Sequence, residues 1–156
     1  MVRILCVAAL VVSLGAGLAL AADPGKLELK SFKTKPAFEG GESLVGYNSD
    51  DEKLFFYVNG TAFRDIKIDE EAEYTITMEA SCDEADKKFA QIKVKVGETV
   101  VKEKFDLTAA AKKTYTFDVK LKKGEQKLSF EFLNDTFKEN EYDLNFYIHD
   151  VKVSKK

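Results

Sequence analysis

The chain has 156 residues, with 24 basic and 27 acidic side chains and 45% hydrophobic content, which suits one ordinary folded domain. Its charges are mixed in sign and mildly acidic, without the basic stripe that nucleic-acid binding needs, so that class is excluded. One histidine, two cysteines and no tryptophan leave little material for a Ser-His-Asp or Cys-His arrangement, and no serine elbow occurs.

The first residues, MVRILCVAALVVSLGAGLALAADPG, carry a basic start at Arg3, an apolar run from Ile4 and an Ala19-Leu20-Ala21 step. This is the layout of a secretory signal. Residues 1–22 are expected to be that signal, with cleavage ahead of Ala22 or Asp23. Residues 23–156 then form a single secreted or periplasmic domain with no membrane span. The apolar run approaches the length of a span, so an uncleaved anchor is the alternative. Cys6 does not follow a leucine-small pair, which argues against a lipid anchor. Loss of Arg3 leaves 23 basic against 27 acidic groups, a net charge of −4. Loss of Cys6 leaves Cys82 alone, so no intramolecular disulfide forms. Its thiol reads as a small buried residue rather than a nucleophile.

Beyond the signal the chain reads as strand after strand. KLELKSF (26–32), KLFFYV (53–58), FRDIKI (63–68) and VVKEKFDL (100–107) are short or noisy candidates. YTITMEA (74–80), AQIKVKV (90–96), TYTFDVKL (114–121) and KLSFEF (127–132) alternate cleanly, which predicts sheets with one wet and one dry face. Asn59-Gly60 is a short-hairpin signal between two runs; Gly97 and Gly124 punctuate two further junctions. NSDDE (48–52) and DEADK (83–87) read as solvated turns rather than cation loops. Asp83–Lys88 and Thr108–Lys113 have helical character but are too short to be more than turns. The pattern predicts an all-β, antiparallel β-sandwich.

The segment NDTFKENEYDLN (134–145) stands apart. It joins two strand patterns by about ten residues where two to five are usual. It gathers Asp135, Glu139, Glu141 and Asp143 against one lysine. If its flanking strands are antiparallel, Asn134-Asp135 and Asp143-Leu144-Asn145 meet at the mouth of the loop. Calcium takes six to eight oxygens from carboxylates, amides and backbone carbonyls, and this loop offers all three. It lacks the glycine and flanking helices of an EF-hand, and a solvated acidic loop remains the plain alternative. In the strand that follows, Leu144, Phe146 and Ile148 share one parity while Val151 and Val153 share the other. A bulge is therefore expected at His149-Asp150. His149 beside it reads as a surface residue rather than a ligand or base. No HExxH, phosphate loop or CxxC occurs. Acids are too abundant for a glycosidase pair to be recognised by spacing.

The run LKKGEQKLSFEFLNDTFKENEYDLNFYIHDVKV resembles the ending of calcium-dependent, xylan-binding-type carbohydrate-binding modules. Those end in a glycine-led strand, F-x-N-D, a polar loop, D-R-N-L-Y-V-D and a final I-x-V. Phe132, Asn134 and Asp135 match the first part, and Asp143, Asn145 and Tyr147 the second. Phe146 and Ile148 are conservative replacements, and Val151 and Val153 close the pattern. Upstream, YVNGTAF and EYTITMEAS resemble the family's glycine turn and G-x-Y strand. Three positions depart. Leu144 stands where the family has arginine, His149 where it has aspartate, and Glu28 is single where acids are often paired.

The resemblance implies a jelly-roll sandwich that binds sugar without catalysis through a calcium ion in this loop. Asp135 and Asp143 are the principal expected ligands, with Glu141 and Asn145 beside them. Asn134, Glu139, Tyr142 and Phe137 are the candidate carbohydrate contacts, though Phe137 equally suits packing the loop onto the sandwich. The expected partner is a polysaccharide or cell-surface glycan, and docking to a larger secreted protein is left open. The rivals are an adhesion module that keeps the fold without sugar binding, and a small hydrolase.

Overall fold

The computed structural model describes residues 25–156, so the expected signal, Arg3 and Cys6 lie outside the described residues. The alternating stretches form two packed antiparallel sheets. The first contains β1 (Gly25–Lys26), β3 (Val45–Asn48), β4 (Lys53–Phe56), β6 (Ala72–Cys82), β9 (Lys113–Leu121) and β13 (Phe146–Lys155). Its order is β3-β4-β13-β6-β9, with β1 paired to the far part of β13. The second runs β2-β5-β10-β7-β8, from β2 (Lys33–Pro36), β5 (Gly60–Ile68), β10 (Gly124–Phe132), β7 (Gln91–Val96) and β8 (Thr99–Asp106). A separate two-stranded hairpin, β11 (Phe137–Lys138) and β12 (Tyr142–Asp143), stands between β10 and β13. The sandwich expected from the sequence is the fold observed.

Alternation decides which residues fill the space between the sheets. Tyr74, Ile76, Met78, Ala80 and Cys82 of β6 are buried, while the residues between them are partly exposed. At one end of the core Phe56 and Phe146 of the first sheet meet Phe132 of the second. Their ring centroids lie 5.1, 5.8 and 6.5 Å apart, in the spacing favoured by aromatic pairs. These rings form the floor beneath the segment 134–145.

Four local readings can now be compared with the structure. The parity slip in β13 is a bulge: Ile148 pairs with Ala80 and Asp150 with Glu79, leaving His149 as the extra residue. Gly97 takes φ +56° and closes the two-residue turn between Val96 and Thr99. KLELKSF is not one strand. Pairing covers only Gly25–Lys26, and a 3-10 turn at Leu29–Ser31 follows. Leu27, Leu29 and Phe32 all face the core, which a straight strand cannot achieve because position 32 has the opposite parity.

Asn59-Gly60 is likewise no hairpin turn. β4 and β5 lie in different sheets, and this dipeptide carries the chain across between them. Glycine is required there by close approach: a Cβ at Gly60 would lie 2.8 Å from Val45 Cγ2 and 2.9 Å from the Lys35 carbonyl oxygen. Strand β3 was not anticipated, because Gly46 and Asn48 interrupt its apolar pattern.

Candidate functional site

Two strand ends and one crossover converge over the Phe56-Phe132-Phe146 floor. β6 ends at Cys82 opposite Phe146, the first residue of β13. The ladder extends one step further, since the Asp83 N–H donates to the Asn145 carbonyl at 2.9 Å. This step places Asp83 against the loop that contains Asp135 and Asp143.

Asn145 is the centre of the arrangement. It is 9% exposed, and its Nδ2 donates to Asp83 Oδ2 at 2.9 Å and to Asp143 Oδ2 at 3.2 Å. One amide thus bridges two carboxylates that would otherwise repel. Its Oδ1 is buried and has no hydrogen-bond partner among the described residues; the same is true of Asp135 Oδ1. A buried oxygen without a partner costs roughly 1–3 kcal/mol. Burial raises the Asp135 carboxyl above its ordinary pKa, and the charge of Asp143 raises it further, against the opposing effect of the Thr136 N–H. Both oxygens are buried acceptors without a donor among the described residues.

The neighbouring groups act as scaffold. The Asp135 N–H donates to Asn59 Oδ1 at 2.7 Å, so the crossover dipeptide orients the acid. The side chain of Asn134 is fully engaged: its Oδ1 accepts from the Gln91 N–H at 2.6 Å and its Nδ2 donates to the Phe89 carbonyl at 3.0 Å. Leu144 is completely buried, and its N–H donates to the Thr136 carbonyl at 2.9 Å. Where an arginine would order the loop by charge, this chain uses an apolar plug.

The loop itself is a tight hairpin. Phe137 pairs with Asp143 and Lys138 with Tyr142, so Phe137 and Asp143 project from one face and Lys138 and Tyr142 from the other. Phe137 is 67% exposed, whereas Tyr142 is half-buried and packs against the core. Packing the loop therefore falls to Tyr142, and the free ring is Phe137. Glu139 and Glu141 lie exposed at the hairpin tip, with Glu141 paired to Lys138 at 2.6 Å. Neither has a described contact with Asp135, Asp143 or Asn145. The structure thus brings together Asp135, Asp143 and Asn145 and adds two residues that the sequence reading had not selected, Asp83 and Asn59.

Among the described residues, no group of three or more histidine, cysteine, aspartate and glutamate side chains is gathered tightly enough to hold a metal by itself. The donor set at this site is different in kind. It combines carboxylates with the Asn145 amide oxygen, an all-oxygen chemistry suited to a hard cation such as calcium. The two orphaned oxygens fit such an ion. An open cleft of about 410 Å³, lined by Lys35, Asn59, Thr61, Glu131 and Leu133 among others, abuts the site through Asn59 and Leu133.

His149 is not among these groups: it is half-buried on the bulge, with Nε2 2.8 Å from Ser81 Oγ. Burial, aided by Lys112, lowers its pKa. Cys82 is buried and its thiol is pushed up, chiefly by burial, which leaves it inert as expected.

A family model for calcium-dependent, xylan-binding carbohydrate-binding modules, CBM60, matches residues 75–156. No curated protein matches the chain. Among solved structures, a CBM36 module in complex with calcium and xylotriose superposes with a TM-score of 0.63 at 15% identity, over 83% of this chain and 98% of that one. The CBM36-1 domain of a multidomain xylanase from the hindgut metagenome of Trinervitermes trinervoides also gives 0.63, at 12% identity, over 85% of this chain and 95% of that one. A family 35 module from Clostridium thermocellum gives 0.56 at 11% identity, over 84% and 97%. At these identities the likeness to solved structures speaks for the fold.

Proposed function

The chain belongs to the CBM60 family of calcium-dependent, xylan-binding carbohydrate-binding modules, and from that premise we propose that it is a non-catalytic module of an exported protein whose sugar site is built on calcium. The observation that carries the reading is the pair of buried, unpartnered oxygens, Asp135 Oδ1 and Asn145 Oδ1, set beside Asp143. Asp135, Asp143 and Asn145 are the residues that would hold the ion, with Asp83 fixing the Asn145 amide. When bound, calcium supplies a positive centre to which neighbouring sugar hydroxyls can add as ligands.

The chain's own residues do the remainder. Asn59 and Asn134 hold the loop ends by hydrogen bonds to Asp135 and to the 89–91 backbone. Leu144 and Tyr142 seal the hairpin onto the core. Phe137 offers an exposed ring on the face that carries Asp143. Glu139 and Glu141 keep the rim acidic. The ligand class that suits this site is a neutral polysaccharide with free vicinal hydroxyls, with a xylan as the first choice. Export is supported by the signal-like pattern of residues 1–22. Among the described residues, no helix is long and apolar enough to cross a membrane.

The test is calorimetric titration with xylan, mannan, galactan and glucan fragments in about 2 mM calcium and again in chelator. Binding of at least one glycan at roughly micromolar to millimolar affinity is expected, because a small site must first offset several kcal/mol of lost freedom. Chelator should abolish it. Binding that persists in chelator overturns the calcium-built site. No binding to any of the four leaves an adhesion module as the better reading.

A further inference from the structure

The outer face of the first sheet carries one patch unlike the rest of it. Residues that alternate with the buried set point to solvent, and most are polar: Lys53, Thr75, Thr77, Glu79 and Lys152. At the end nearest the candidate cation site aromatic rings stand among them. Register places Gly46, Phe55, Tyr147 and Ser81 in one row across four adjacent strands, with Tyr57 just beyond the end of β4. The Phe55 and Tyr57 rings lie 4.8 Å apart between centroids, and Tyr57 meets Tyr147 edge-on at 6.3 Å. Gly46 makes room for this: a Cβ there would stand 2.9 Å from Phe55 Cζ. Tyr57 remains 40% exposed.

This patch is joined to the carboxylate cluster by contact. The Tyr147 hydroxyl donates to Asp83 Oδ2 at 3.4 Å, the same oxygen that receives the Asn145 amide. On its other side Lys53 Nζ lies 4.7 Å from the Tyr147 ring centroid. The rings are thus bordered by a carboxylate at one edge and an ammonium at another. A wet sheet face that gathers three rings beside hydrogen-bonding groups matches a ligand with apolar ring faces and polar edges, the chemistry of a pyranose.

We propose that Phe55, Tyr57 and Tyr147 form a stacking subsite for a sugar unit adjoining the one held at Asp135, Asp143 and Asn145, so that this module reads a chain rather than a single sugar. The inference rests on the calcium-built site proposed above. Tyr57, as the most exposed ring, is the contact that faces the ligand; Phe55 and Tyr147 support it.

The test uses linear xylo-oligosaccharides of one to six units in about 2 mM calcium, with the full mature chain. The chain has six tyrosines and no tryptophan, so tyrosine emission follows binding, the difference between wild type and Tyr57→Phe assigns the part due to position 57, and calorimetry gives the affinities. Affinity should rise from one unit to three and then level off. Tyr57→Ala should weaken the trisaccharide and longer chains roughly 3- to 10-fold, the range for one aromatic contact. It should leave the monosaccharide and calcium itself bound as before. Tyr57→Phe should retain the longer-chain affinity. Wild-type protein that binds calcium and sugar but gains nothing with chain length overturns the subsite alone, as does Tyr57→Ala with unchanged hexasaccharide binding. Protein that binds neither calcium nor any sugar overturns the reading beneath it.

Discussion

Replacing Asp135 by asparagine removes one charge while keeping the outline of the side chain, and its effect should reverse sign with calcium. Without the ion, the carboxylate is desolvated and faces Asp143, and both circumstances disfavour its charged form. The variant should therefore melt at or above the wild-type temperature in chelator. With the ion, the wild type gains by linkage. Extracellular calcium modules bind with dissociation constants of about 10⁻⁴ to 10⁻³ M. At about 0.1 mM and roughly 2 mM free calcium, RT ln(1 + [L]/Kd) is about 1.8 kcal/mol. For about 130 folded residues the unfolding entropy near the melting point is about 0.27 kcal/mol/K, so Tm should rise by roughly 6 to 7 °C. A tenfold weaker variant would gain only about 2 °C by the same relation. Differential scanning calorimetry of both proteins at pH 7, each in calcium and in chelator, gives the four values. Glu125→Gln, an exposed acid at the start of β10, should behave as wild type. The reasoning fails if chelator leaves the wild-type Tm unchanged, or if Asp135→Asn shifts Tm equally in both conditions.

The pH dependence follows from the same carboxylate. Its folded pKa is raised, so the ion-free protein should lose stability as pH rises from the ordinary aspartate value through the raised one. Calcium needs the deprotonated form, so the calcium-dependent part of Tm should vanish as pH falls through that same window; melts from pH 7 to 4 with and without calcium check both signs. Asn134→Ala leaves the Gln91 N–H and Phe89 carbonyl without their partner and should cost about 1–3 kcal/mol in urea unfolding. Phe146→Ala empties the ring cluster under the site and should cost about 3–5 kcal/mol by the same measurement.

The parts legible in the sequence were those governed by one-dimensional pattern. β6, β9 and β10 alternate without interruption, so their faces could be read directly, and the parity slip between Ile148 and Val151 announced the bulge at His149. Reading failed where a residue served a tertiary contact. Asn59-Gly60 has the composition of a hairpin turn, yet its glycine answers to the backbone at Lys35 and its asparagine to Asp135. Asp83 looked like one acid of a solvated turn. Its role depends on β6 pairing with β13, which brings a residue 62 positions distant onto Asn145. The acidity of the loop could be read, but its division into Asp135 and Asp143 beside Asn145, and Glu139 and Glu141 at the tip, is set by the hairpin register. The outer-face rings were hidden for a similar reason, since Phe55, Tyr57 and Tyr147 come from two distant segments.

The hairpin of β11 and β12 belongs to neither sheet, and that independence separates two timescales. Its closure depends on few backbone bonds, among them Glu141 N–H to the Lys138 carbonyl and Leu144 N–H to the Thr136 carbonyl. Such a unit opens locally at a small fraction of the free energy that unfolds the sandwich. Its amides should exchange with solvent deuterium long before those of β6 or β10. The loop proposed to hold the ion should thus breathe rapidly while the core stays shut. An ion that bridges Asp135 and Asp143 would slow that breathing at a handful of amides, leaving the exchange of the core strands as it was.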